Sequence, residues 1–155
     1  MTAAAENLLK NGDMENGLEN WRIPSWIKNG ITPVSDKTVT AGGGSASLRI
    51  QGEKGKYGIL VNYFKIPAGT KYLQVRLMAK TKNLGTTWAS AQVEVENVKK
   101  AIFAISTYKR SQNKAETDWM EYVSPVIELP ENAGTNARVY LKMAENATGT
   151  VWFDD

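Results

Sequence analysis

A two-residue alternation of side-chain character, restarted many times and never giving way to a sustained 3.6-residue repeat, limits what this chain can fold into. Leu73, Val75, Leu77 and Ala79 alternate with Gln74, Arg76, Met78 and Lys80, and Ala91, Val93 and Val95 alternate with Gln92, Glu94 and Glu96. Successive strand side chains point to opposite faces, so each run predicts a strand with one buried and one wet face. Segments 47–51, 100–106, 121–129 and 138–144 have the same character. Between them lie Gly42-Gly43-Gly44, Pro67-Ala68-Gly69, Asn83-Leu84-Gly85, the 130–134 stretch and 146–149, all with turn chemistry. Asp118 to Glu121 also fits a helix-capping box, but Pro125 follows closely and Val126-Ile127 continues an extended run, so a strand is preferred. Many short strands with Gly and Pro turns predict an all-β fold, a β-sandwich of two antiparallel sheets.

Composition then removes whole classes of chemistry. The 155 residues suit one domain, able to bury roughly 70% of its unfolded surface without covalent staples. With no Cys there is no disulfide, thiolate metal site or cysteine nucleophile, and with no His the usual general base of a triad is missing. A hard cation held by oxygens stays open. The net charge of +3 is spread without a basic run, so no nucleic-acid partner is expected. No apolar stretch reaches the ~18 residues of a membrane helix, and residues 1–6 lack the pattern of a signal peptide. Those first six residues are expected to be a disordered or tag-like N-terminus, with one module over 7–155.

Five phrases, in order, carry a resemblance. The chain opens with Asn7-Leu8-Leu9-Lys10-Asn11-Gly12, Glu15 and Gly17, then Trp21; a Gly-rich turn and a Ser-Leu-basic strand follow over 42–50. Residues 59–67 lead into Gly69-Thr70-Lys71-Tyr72 and the long run to Lys80, a Trp-led run goes from Trp119 to Pro130, and the close is Trp152-Phe153-Asp154-Asp155. This succession resembles the jelly-roll carbohydrate-binding modules of the grouping of families four, nine and twenty-two. It departs from them at Met14, where an aromatic is usual, and in stopping at Asp155, which suggests a fragment of a longer polypeptide.

The resemblance implies a structural Ca²⁺ held by Glu15 and Asp154, with Asp13, Ser45 and the carbonyls of their turns as further ligands. It also implies a sugar site on a concave sheet face. A pyranose packs its C–H face on an aromatic ring and needs polar side chains for its hydroxyls, so the candidates are aromatics set among polar residues. These are Trp26, Tyr57, Tyr63, Trp88 and Tyr108, with Gln74, Arg76, Gln92, Glu94, Tyr140 and Lys142 lining the face. Trp21, Trp119, Trp152 and Phe153 are expected in the core. Xylan-binding relatives often have a Glu two residues after the equivalent of Tyr140; Lys142 stands here, and beside Arg76 it points to a sugar carrying carboxylates.

The implied function is non-catalytic binding of a plant-type polysaccharide, xylan or β-glucan with or without uronic-acid decoration, by a monomer that targets an attached glycoside hydrolase. By the same resemblance the protein is expected to be secreted or at the cell surface. The alternative is a structural or protein-interaction sandwich with no sugar site. A glycosidase built on Glu94 with Glu96, or Glu121 with Glu128, fits the carboxylate spacing, but such neighbours are more often a solvated strand face.

Overall fold

The computed structural model describes residues 6–84, 89–98, 103–106 and 116–155 of the chain. Among these residues it is all-β, with eleven strands: β1 (Val34–Asp36), β2 (Ser47–Gln51), β3 (Gly58–Lys65), β4 (Tyr72–Leu73), β5 (Arg76–Lys82), β6 (Ala89–Val95), β7 (Phe103–Ser106), β8 (Thr117–Val123), β9 (Ile127–Glu128), β10 (Asn136–Met143) and β11 (Thr150–Asp154). They form a five-stranded sheet in the order β1-β2-β11-β5-β8, a four-stranded sheet β3-β10-β6-β7 and a small β4-β9 pair. Every pairing between named strands is antiparallel.

Alternation decides which residues meet between the two large sheets. Leu48, Ile50, Leu77, Ala79, Tyr122, Val151 and Phe153 come from the five-stranded sheet, and Leu60, Ala91, Val93, Val139 and Leu141 from the four-stranded one. Removing this apolar surface from water drives the two layers together. Met14 is buried in the same cluster, so an unbranched thioether fills the place where an aromatic was expected.

Two expected strands are broken, and for one reason. The run through Leu73 to Lys80 divides into β4 and β5, and the 121–129 run divides into β8 and β9. Pro125 has no N–H to continue a ladder. Instead the Ser124 N–H donates to the Val75 carbonyl at 2.9 Å and the Val75 N–H donates to Ser124 Oγ at 3.0 Å. The three-residue β1 was not foreseen, being too short for alternation to show.

Candidate functional site

The outward face of the four-stranded sheet gathers most of the expected polar and aromatic residues. Register sets them in rungs. Val61 of β3 pairs with Tyr140 of β10, which pairs with Gln92 of β6; the next rung is Tyr63, Arg138 and Glu94, and the rung on the other side is Ile59, Lys142 and Ser90. The chain at Arg22 extends the first rung, since Arg22 and Val61 exchange backbone hydrogen bonds at 3.1 and 2.8 Å. Beyond it the loop after buried Pro24 turns over the sheet, closed by the Ile27 N–H donating to the Pro24 carbonyl at 3.0 Å.

That loop carries Trp26, 51% exposed, and sets its ring edge-on to Tyr140 with centroids 6.2 Å apart. Tyr140 is consequently only 3% exposed, so Trp26 and the 46% exposed Tyr63 are the rings open to a ligand. Arg138 lies 5.8 Å from the Trp26 centroid and 5.5 Å from that of Tyr140, Lys142 lies 5.1 Å from Tyr140, and Arg22 lies 4.8 Å from Tyr63. Each is a cation over a ring's negative face.

The polar groups between the rings are wired in series. The Lys142 ammonium donates to Gln92 Oε1 at 2.8 Å, Gln92 Nε2 donates to Glu94 Oε1 at 3.2 Å, and Arg138 Nε donates to Glu94 Oε2 at 2.6 Å. Burial alone would lower the Arg138 pKa, but the hydrogen bond to Glu94, the Glu94 charge and a bond to Tyr63 raise it. Burial first and the Glu94 charge second push the Tyr140 phenol up, so it stays a neutral hydroxyl. The result is a fixed array of donors and acceptors beside two open aromatic rings, suited to a ligand with many hydroxyls and apolar faces.

Other candidates lie elsewhere. Tyr57 precedes β3, exposed, with its hydroxyl pKa raised by the charge of Glu145 and a hydrogen bond to it. Gln74 and Arg76 do not share the face, because they belong to the β4-β5 side of the other sheet. Gln74 Nε2 donates to the Ser124 carbonyl at 3.0 Å and Arg76 pairs with Glu121. Both line a cleft of about 790 Å³ at that edge of the sandwich, with Tyr72 and Leu77. The expectation that they would face the same ligand as Tyr140 fails on strand order: β5 sits between β11 and β8. Trp88 and Tyr108 fall outside the described residues. Trp21, Trp152 and Phe153 are buried as expected, although Trp152 points outward from its sheet, and Trp119 is only partly covered.

Two residues of the face went unforeseen. Arg138 shares the alternation of Tyr140 and Lys142 along β10, so its position was readable two residues upstream. Arg22 was not, because it reaches the sheet through an isolated bridge with no strand pattern around it.

The two ends of the chain also meet. Glu15 Oε1 accepts from the Ser45 N–H at 2.8 Å and from the Ala46 N–H at 3.3 Å, and Ser45 Oγ donates to Glu15 Oε2. These Ser45 bonds lower the Glu15 pKa. Asp154, 2% exposed, accepts from the Ala41 N–H at 2.9 Å and the Asp155 N–H at 3.0 Å. A Cβ on Gly44 would stand 2.8 Å from Glu15 Oε1, 3.3 Å from the Ala41 carbonyl and 3.7 Å from Asp154 Oδ2, so three oxygens of different segments surround one glycine. Burial, with the charges of Asp155 and Glu15 added, raises Asp154 to about 6. Among the described residues no Lys or Arg pairs with it. Asp13 caps the turn, accepting the Glu15 N–H at 3.4 Å. Among the described residues no three acidic side chains gather, so any cation here would depend on two carboxylates and on carbonyls.

No protein-family model and no curated protein matches the chain. Solved structures do. A family 16 carbohydrate-binding module is 22% identical, with 96% of each chain covered and a TM-score of 0.65. A family 61 module solved with β-1,4-galactotriose is 16% identical over 97% of this chain and 96% of its own, with a TM-score of 0.63. The second family 22 module of Paenibacillus barcinonensis Xyn10C, a xylan-binding domain, is 14% identical over 93% and 94%, with a TM-score of 0.56. At these identities the likeness is one of fold: the chain has the β-sandwich jelly roll of carbohydrate-binding modules.

Proposed function

We propose that the outward face of the β3-β10-β6-β7 sheet binds a polysaccharide chain without cleaving it. One observation carries the reading: exposed Trp26 and Tyr63 stand on the same face as the Lys142–Gln92–Glu94–Arg138 series. Stacking on the rings supplies apolar contact, and the wired side chains present groups for hydroxyls without further ordering at binding. Three of the four carboxylates weighed for catalysis are engaged, Glu94 by Arg138, Glu96 by Asn136 at 2.8 Å and Glu121 by Arg76, and Glu128 is exposed on β9. A xylan or β-glucan backbone is the substrate class proposed, and the likeness to a xylan-binding family 22 module favours the first of the two. The role proposed is to hold an attached glycoside hydrolase near its substrate by raising effective concentration, which places the protein outside the cell.

Affinity electrophoresis in gels containing xylan, mixed-linkage β-glucan or carboxymethyl cellulose tests the reading. Retardation by at least one polymer, lost in Trp26→Ala with the thermal midpoint unchanged, is the expected result. Migration unaffected by all of them would leave a structural or protein-docking sandwich.

The Gly44 corner is proposed to hold Ca²⁺. Its donors are all oxygen, as a hard cation requires: the Glu15 and Asp154 carboxylates and the Ala41 carbonyl. The ion would neutralise the buried Asp154 and tie the opening turn to the last strand, with no part in chemistry.

A further inference from the structure

We propose that the glycan taken by this face is acidic, its sugars carrying the carboxylates of uronic acids; the proposal rests on the polysaccharide reading above and adds the chemical class. It follows from where cations lack carboxylate partners. On the five-stranded sheet, Arg49 pairs with Asp36, Arg76 with Glu121 and Lys80 with Asp118, and of its described cations Lys82 alone has no carboxylate partner. On the four-stranded face, among the described residues, only Arg138 has such a partner, Glu94, while Lys65 donates to the Asn136 amide. Lys142 donates to a neutral amide, and Arg22 lies over Tyr63 with no carboxylate partner among the described residues. Among the described residues Arg22, Lys65, Arg138 and Lys142 stand against Glu94 and Glu96, which leaves the face with a surplus of two positive charges.

Two of the unmatched cations, Arg22 and Lys142, bracket the aromatic platform. Arg22 stands across Val61 from Tyr140, two inter-strand steps or roughly 10 Å away. Lys142 is two residues along β10 on Tyr140's other side, and Trp26 covers Tyr140 between them. A sugar stacked on Trp26 or Tyr63 turns its ring-edge substituents toward these two groups. A guanidinium offers a planar fork that matches a carboxylate, and the ammonium keeps N–H groups beyond the one given to Gln92. A neutral hydroxyl would use neither charge. Glu94 does not repel such a ligand strongly, because both its oxygens are already engaged by Arg138 and Gln92.

Titration calorimetry with glucuronoxylan, and with the same polymer after its carboxyls have been reduced to alcohols, decides the matter. Carboxyl reduction is expected to weaken binding about tenfold, the strength of one or two charge-assisted hydrogen bonds. Added salt should weaken the acidic polymer more than the reduced one. Arg22→Gln with Lys142→Gln should bring the acidic-to-neutral affinity ratio close to one, whereas Arg76→Gln with Lys80→Gln, on the other sheet, should leave it unchanged. Equal affinity for the two polymers would overturn the acidic class while keeping polysaccharide binding. A sulfate-bearing glycan bound more tightly than the uronate would overturn the assignment to carboxylates. Failure of folded protein to bind any polymer would overturn the underlying function.

Discussion

The two outward faces of the sandwich are built from similar residues and use them differently. On the five-stranded face Trp152 is buried, its indole N–H donating to Asp36 Oδ2 at 3.0 Å, and three of the four described cations are paired with carboxylates, Lys82 being the exception. On the four-stranded face the exposed Trp26 is set over the sheet by a loop, and unmatched cations stand beside it. An aromatic sealed under an internal hydrogen bond stabilises the fold. One left open beside unspent donors is available to something else. The difference is therefore one of satisfaction, not of composition.

The strongest way to break this contrast is at Asp36. Its carboxylate also accepts from the Thr38 N–H at 2.9 Å, the Thr38 hydroxyl at 2.7 Å and the Val39 N–H at 3.2 Å. Asp36→Ala would strand these donors, the Trp152 indole and the Arg49 guanidinium, and should cost roughly 2–4 kcal/mol in urea unfolding with no direct effect on ligand. Burial works to raise the Asp36 pKa, yet the bonds from Trp152, Thr38 and Val39 hold it at about 2. A depressed carboxylate stabilises the fold above its unfolded value of 3.8, and that contribution should disappear as pH falls from there toward about 2.

On the other face the effect should appear in binding instead. Trp26→Ala, or Tyr63→Ala, removes an open ring and is expected to weaken polysaccharide binding by about 2 kcal/mol, near thirtyfold, in titration calorimetry. The urea midpoint should shift little, because neither ring belongs to the core cluster. A Trp26 variant that unfolds readily yet binds normally would reverse the roles given to the two faces.

How far the sequence foretold these faces depends on how local the signal was. Alternation put Gln92 with Glu94 on one face of β6 and Tyr140 with Lys142 on one face of β10 before any coordinates, because period two is a property of a single strand, while their meeting on one sheet was implied by the resemblance. It also assigned Gln74 and Arg76 a wet face correctly but said nothing about which sheet that face belongs to. Sheet membership is set by pairing between segments far apart in sequence, and β5 pairs with β11 and β8. Tyr140 shows the same limit. Its outward position was readable, but the cover supplied by Trp26, more than a hundred residues earlier, was not. The convergence of Glu15 and Asp154 came from the resemblance, not from any pattern within either segment.

Asp154 offers a smaller test, since it lies on the same five-stranded sheet as Asp36 but lacks that residue's set of donors. With its pKa raised from 3.8 to about 6, its charged form is disfavoured in the fold. In chelator, stability from this group should be fully present below about pH 4 and decline as pH rises through 6. Calcium at pH 7.5 should restore a few degrees of thermal midpoint, and Asp154→Asn should abolish both the calcium response and this part of the pH dependence. A midpoint indifferent to calcium in the unaltered protein would remove the ion from the Gly44 corner.

The smallest effect expected separates matched surface charges from the unmatched ones across the molecule. Lys80 and Asp118, 3.0 Å apart, are an exposed pair in which each ion is already well hydrated when free. Removing both by Lys80→Gln with Asp118→Asn should barely move the urea midpoint and leave polysaccharide affinity untouched. The Asp118 pKa is lowered chiefly by the Lys80 hydrogen bond, so a modest loss of stability in acid should go with the pair. If instead this double change weakened glycan binding as much as loss of Trp26 does, the ligand would have to lie on the five-stranded side. The exposed rings opposite would then be surface, and the partnered charges the recognition site.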